Sequence, residues 1–120
     1  MRPFGAKNDG VPLHGLLIRV KANDPVEAAR AGKVAFVDEG LRGYGRTVIV
    51  EHEEGFSTVY AGNFEILVKP GQELRRGELI GKISGAVYKA APELYFEIRR
   101  DGRAEDPIQY LSGAKTLNHL

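Results

Sequence analysis

Cysteine is absent from the 120 residues, so the chain can build neither a disulfide nor a thiolate metal site. That absence leaves the compartment open, because exported bacterial domains also do without cysteine. No stretch approaches the ~20 apolar residues needed to cross a bilayer. Met1-Arg2-Pro3-Phe4-Gly5 lacks the apolar core of an export signal. The expectation is therefore either a cytoplasmic protein or a fragment of a longer exported one. An excess of one charge is missing too. Seventeen Lys and Arg stand against sixteen Asp and Glu, which gives no nucleic-acid or membrane footprint. The glycines lack phosphate-loop spacing, and no lysine sits in a lipoyl- or biotin-carrier context. Ser57 and Ser84 have no evident His and acid partners.

What is present is dense punctuation. Fifteen glycines and six prolines separate short runs of Val, Ile, Tyr and Phe, and that pattern reads as strands joined by turns. Strands are predicted over 16–20, 33–37, 47–52, 56–61 and 94–99. Glu53-Glu54-Gly55 is a turn, and Asp101-Gly102 carries the signal of a type I′ turn. Gly71, Gly77 and Gly81 let the segment 68–81 turn between very short strands. Residues 25–30 read as a short helix or a strand. The strand is preferred, with Val26, Ala28 and Arg30 on one face. In the strands at 47–50 and 58–61, Val48 and Val50 should face opposite Thr47 and Ile49, and Val59 and Ala61 opposite Thr58 and Tyr60. Apolar groups on both faces predict a sheet covered on both sides over part of its length. The tail 112–120 reads as weakly structured. The expected domain is 1–111: all-β, antiparallel, with short strands, long loops and little helix.

Four segments in order carry a resemblance. Leu13-His14-Gly15-Leu16-Leu17-Ile18 is similar to His-x-Gly-Ile-Asp-Ile of the LytM (lysostaphin-type) zinc peptidases. Gly43 to His52 resembles their Gly-Tyr-Gly-Asn-x-Val-x-Ile-x-His. Phe56 to Gly62 resembles Tyr-x-Thr-x-Tyr-Ala-His, and Glu93-Leu94-Tyr95-Phe96-Glu97-Ile98-Arg99 stands where the family has His-Leu-His-Phe-Glu-Ile-Arg. The resemblance implies the lysostaphin-like fold and a groove floored by the sheet.

It also implies where the family's zinc chemistry would sit. A hydrolytic zinc needs three protein ligands and an open position for water. With Gly15 fixing the register, the ligand positions fall on Leu13, Leu17 and Tyr95. The catalytic-helper positions fall on Gly62 and Glu93. None of the five keeps the family residue, so no catalytic residue, metal or cofactor is expected. Shifting the register to make His14 a ligand puts Ile18 at the acidic position and turns the strand's buried face outward. His52 reads as structural, ending a strand and bonding a nearby loop, and His119 as solvated. Glu93 and Glu97 share a strand face, but Glu97 reads as structural, against a glycosidase pair.

A groove without its metal remains a contact surface. The expected partner-binding groove comprises Leu13, Leu17, Tyr60, Tyr88, Lys89, Glu93 and Tyr95, mostly apolar and aromatic with charges at the edge. Leu13 and Leu17 fit a filled core equally well. The apolar first motif resembles the EnvC- and NlpD-type murein hydrolase activators. That branch implies a zinc-dependent N-acetylmuramoyl-L-alanine amidase as protein partner and the cell envelope as location, within a longer exported protein. Peptidoglycan itself is a second possible partner. A scaffold role in an envelope complex, passive peptidoglycan binding and residual zinc peptidase activity are the alternatives.

Overall fold

Runs of Val, Ile, Phe and Tyr in period two make strands because their side chains pack on a pleated surface. The computed structural model describes residues 7–8, 11–12, 15–40, 46–85 and 92–105, and strands dominate them. β1 (Lys7–Asn8) and β2 (Val11–Pro12) pair with each other. β3 is Leu16–Arg19, β4 Pro25–Glu27, β5 Gly32–Asp38, β6 Arg46–Glu51 and β7 Phe56–Gly62. β8 is Phe64–Ile66, β9 Glu73–Leu74, β10 Leu79–Ile83, β11 Glu93–Arg100 and β12 Arg103–Glu105. Leu13, His14, Tyr88, Lys89 and His119 lie outside the described residues, as does the tail 112–120.

The large sheet runs β12-β11-β7-β6-β5-β9, antiparallel at every pair. β3 joins it on the same edge of β11 as β12, opposite Glu93 to Phe96. A smaller sheet runs β4-β10-β8. Both sheets feed one core, in which Val26, Phe64, Ile80 and Ile83 meet Val34, Val48, Val50, Tyr60, Phe96 and Ile98. Each such large side chain contributes about 1.5–3 kcal/mol by leaving water.

The expected strands are present with ends shifted by a residue or two. Residues 25–30 begin as strand, and Val26 and Ala28 are buried. The strand ends at Glu27 and the alternation breaks after Ala28, where Ala29 is buried as well. Glu53–Gly55 closes as a tight turn in which Glu54 and Gly55 have positive φ, 62° and 77°, and Phe56 N–H donates to the Glu53 carbonyl. Asp101 and Gly102 both have positive φ, 53° and 81°, as a type I′ turn requires. Gly71 and Gly77 turn with φ of 87° and 80°, whereas Gly81, expected at a turn, lies inside β10.

The facing within β6 and β7 is as expected. Val48 pairs with Tyr60 and Val50 with Thr58, and all four are buried. Thr47, Ile49, Val59 and Ala61 point the other way and are half-buried. β5 carries a bulge, since Val34 opposes Val50 and Phe36 already opposes Ile49. Ala35 is the extra residue, so Phe36 turns outward and is 47% exposed.

Candidate functional site

The outward face of the large sheet is organised by register. Leu17 of β3 pairs with Tyr95 of β11, Tyr95 with Ala61 of β7, and Ala61 with Thr47 of β6. The next row runs Glu97, Val59, Ile49 and Phe36. Tyr95, Glu97 and Arg99 alternate along β11 and share this face. The Tyr95 hydroxyl donates to Oε2 of Glu97, and Arg99 Nε donates to Oε1. These bonds compensate for burying the Glu97 carboxylate, which is only 5% exposed. Burial raises the pKa of the Tyr95 phenol above its ordinary value, and the bond to the Glu97 carboxylate raises it further. The Tyr95 ring lies over Gly15, where a Cβ would stand 3.0 Å from both Cζ and the hydroxyl oxygen. The same Cβ would stand 2.3 Å from the Phe96 carbonyl oxygen, so the close approach of β11 backbone requires glycine here and the tyrosine ring uses the room it leaves.

Leu17, Tyr95 and Glu93 lie on this outward face, Leu17 and Tyr95 half-buried and Glu93 exposed. Tyr60 does not belong to the groove. Its pairing with Phe96 and Val48 turns it to the opposite, core-facing side, where it is 2% exposed and packs on the Phe96 ring at 5.5 Å. The sequence puts Tyr60 and Ala61 side by side, and strand alternation allows only one of them to face the groove. At Gly62 a Cβ would come within 2.8 Å of the Glu93 carbonyl oxygen, and φ is 154°, so this backbone has no place for a side chain.

The described residues do not fit a zinc site. Leu17 has no donor atom. The Tyr95 oxygen is turned to a carboxylate, which favours the protonated phenol over the phenolate a metal would need. No group of three His, Cys, Asp or Glu able to hold a metal is found among the described residues.

A second polar arrangement sits on the core-facing side, and sequence reading reaches only its histidine. His52 follows β6. Its Nδ1 lies 2.8 Å from the Ala31 carbonyl oxygen, and its Nε2 lies 2.8 Å from Thr58 Oγ1. Thr58 Oγ1 lies 2.9 Å from the Tyr60 hydroxyl, which accepts from Ala29 N–H at 2.9 Å. With both ring nitrogens engaged, His52 is not available to activate Ser57. Burial depresses its pKa below the ordinary 6.5; the Ala31 carbonyl opposes that shift and nearby Arg30 adds to it. The histidine lines a charged cleft of about 630 Å³ with Arg30, Ala31, Lys33, Glu51 and Glu73. A separate, more apolar cleft of about 410 Å³ is lined by Ile18, Val26, Ala28, Ala29, Leu94 and Phe96. Arg30 carries a buried Nη1 with no hydrogen-bond partner among the described residues.

A lysostaphin-like sheet and the ordered motifs on β3, β6, β7 and β11 define a peptidase-type scaffold. Residues 12–107 match the model of Peptidase family M23, and the chain belongs to that family. It is 39% identical over 107 residues to the lipoprotein NlpD/LppB homolog of Pseudomonas aeruginosa, covering 89% of this chain and 34% of that protein. It is 37% identical over 97 residues to the murein hydrolase activator EnvC of Escherichia coli, covering 81% of this chain and 23% of that protein. The chain thus spans about a third or less of these relatives' lengths.

Among solved structures, the catalytic domain of a point mutant of the prophage-encoded M23 protein EnpA from Enterococcus faecalis superposes with a TM-score of 0.75. Identity there is 20%, with 93% of this chain and 90% of that one covered, a likeness of fold alone. A chain of the SpoIIIAH–SpoIIQ complex matches with a TM-score of 0.63 at 33% identity, covering 72% of this chain and 61% of that one.

Proposed function

We propose that this chain is a non-catalytic M23 domain that binds and activates a peptidoglycan amidase of the N-acetylmuramoyl-L-alanine type during cell-wall remodelling or cell separation. The observation that carries the reading is the pairing of Leu17 with Tyr95 on the outward face. By the family resemblance these positions would be metal corners, yet one is a hydrocarbon and the other is bound to Glu97. An activity without a metal works by contact, and the face offers Leu17, Tyr95, Val59, Ile49 and Phe36 for it. The names of the relatives, a lipoprotein and a murein hydrolase activator, support both the activator role and a place in the cell envelope. Leu13, Tyr88, Lys89 and Glu93 complete the proposed groove, and residues 1–111 are the proposed working unit. Activation is a population shift: the domain binds the open amidase better than the closed one.

The test is release of dye from labelled peptidoglycan by purified amidases with and without this chain, alongside zinc analysis. Stimulation by a zinc-free chain is expected. An unchanged rate with every amidase of the same organism, or one tightly held zinc per chain, sinks the reading.

The likeness to a chain of the SpoIIIAH–SpoIIQ complex favours a second reading, a scaffold that pairs with another envelope protein. Retrieval of a membrane-anchored partner without any amidase would select it. Passive peptidoglycan binding would instead give co-sedimentation with sacculi, abolished by Tyr95→Ala.

A further inference from the structure

β4 ends the small sheet, and no strand among the described residues pairs with its outer edge. Along a strand the backbone groups of successive residues point to alternate sides. The Asp24 carbonyl accepts from Ile83 N–H at 2.9 Å. Ala28 N–H donates to the Glu78 carbonyl at 2.9 Å, and the Ala28 carbonyl accepts from Gly77 N–H at 2.8 Å. Val26, opposite Gly81, turns to the same side. Pro25 and Glu27 therefore turn their backbone to the bare edge. Glu27 presents an N–H and a carbonyl there, and Pro25 a carbonyl alone, because proline has no N–H. These three groups have no hydrogen-bond partner among the described residues.

The apolar cleft of about 410 Å³ runs along this edge, lined by residues 25–29 without a gap. Its floor is the core-facing side of the large sheet, where Ile18 of β3 lies beside Leu94 and Phe96 of β11. Beyond the end of β4, Ala29 N–H meets the Tyr60 hydroxyl, a side-chain oxygen in the place of a strand partner's carbonyl. A bare strand edge beside an apolar floor suits an occupant that brings backbone hydrogen bonds and apolar side chains together. A hydrocarbon ligand would take water from the Glu27 N–H and carbonyl and give nothing back.

We propose that this cleft is a strand-addition site: an extended segment of a partner protein, of the pattern apolar–basic–apolar, pairs antiparallel with β4. One residue opposite Glu27 exchanges two hydrogen bonds with it, which satisfies both bare groups. The side chain of that residue shares the exposed face of Glu27, where an opposite charge is favoured, so it is Lys or Arg. Its two neighbours share the face of the buried Val26 and Ala28 and come down on Ile18, Leu94 and Phe96. Pro25 helps to fix the register, since only Glu27 on this edge can both donate and accept. A slip of one residue would put the charge on the apolar floor and the apolar groups in water. The cleft and the groove of the proposed function lie on opposite faces of the large sheet, so this site stands whether or not that groove binds an amidase.

The test is a titration of the 120-residue chain with the capped peptide acetyl-Thr-Val-Lys-Val-Thr-amide, followed by amide and methyl resonances. Shifts are expected at Glu27, Ile18 and Leu94, with exchange of the Glu27 amide slowed about tenfold or more at saturation. Methylating the backbone nitrogen of the peptide's lysine deletes its hydrogen bond to the Glu27 carbonyl and should weaken binding about tenfold. Glu27→Lys, a change at an exposed position, should turn the preference toward the same peptide with Glu in place of its Lys. No binding at millimolar peptide overturns the proposal, including the case in which residues 106–120 of this chain already fill the cleft. Equal binding of the methylated peptide overturns it too, as does an unchanged preference in Glu27→Lys. Shifts confined to Leu17, Val59 and Phe36 would place the peptide on the outward face and also refute it.

Discussion

Tyr60 and Tyr95 sit in neighbouring strands one row apart, and the pleat sends them to opposite faces of the sheet. Tyr60 is buried where the core meets the apolar cleft, and its hydroxyl meets only uncharged groups, a threonine and an amide. Tyr95 is half-buried and meets a carboxylate that also holds a guanidinium. Both phenols stay protonated, chiefly through burial, with the Glu97 carboxylate adding to the effect at Tyr95. The difference lies in what each hydroxyl holds. On the core side it ties a loop to the sheet. On the outward face it stabilises a charge beside the groove of the proposed function. Two residues of one type, both with satisfied hydroxyls, thus serve the core on one side and, on the proposed reading, recognition on the other.

This division can be broken most severely from the core side. Tyr60→Ala removes a buried ring and the acceptor of the Ala29 amide, and should cost about 3–5 kcal/mol in denaturant unfolding. A cost below that of Tyr95→Ala would mean the two faces have been assigned the wrong roles. Glu97→Ala leaves the Tyr95 and Arg99 donors without their partner. It should cost about 1–3 kcal/mol in the same measurement and, under the proposed function, weaken stimulation of an amidase.

The next effect is one of pH. His52 titrates lower in the folded chain than its ordinary 6.5, so the unfolded chain binds more protons as the solution turns acid. This contribution is fully present above 6.5 and is lost as pH falls from there through the folded-state pKa. The melting temperature should therefore drop on acidification, and the His52-dependent part of that drop should vanish in His52→Gln. The smallest change in stability belongs to the outward face. Phe36→Ser, at a 47% exposed position, should move stability by no more than about 0.5 kcal/mol. If the face docks a partner, the same substitution lowers amidase stimulation. Full stimulation by Phe36→Ser would shrink the contact surface to the Leu17 and Tyr95 end.

The fold is largely legible in the sequence because its signals are local. Alternation places Val48 and Val50 opposite Thr47 and Ile49, and Asp101-Gly102 announces its turn. The site is legible only in part. Tyr95, Glu97 and Arg99 stand two residues apart, so their common face can be read, and Glu97 reads as structural. That one carboxylate holds both neighbours depends on rotamers and burial, which spacing does not encode. Tyr60 falls on the groove floor in a reading by motif because motif order carries no facing. Thr58 could be joined to Tyr60 by the same two-residue spacing. The carbonyl of Ala31 could not be assigned to His52, since 21 residues separate them and only the packing of β5 on β6 brings them together.

The bulge at Ala35 acts as a phase shifter in β5. It lets Val34 and Val37 both turn toward the core although three positions separate them, an odd number that an unbroken strand would send to opposite sides. Removing Ala35 would restore simple parity and leave both valines where they are. Removing one residue from the middle of β6 or β7 would instead invert every position beyond the cut. Tolerance to a missing residue is thus concentrated at one point of the sheet, the point that turns Phe36 toward solvent.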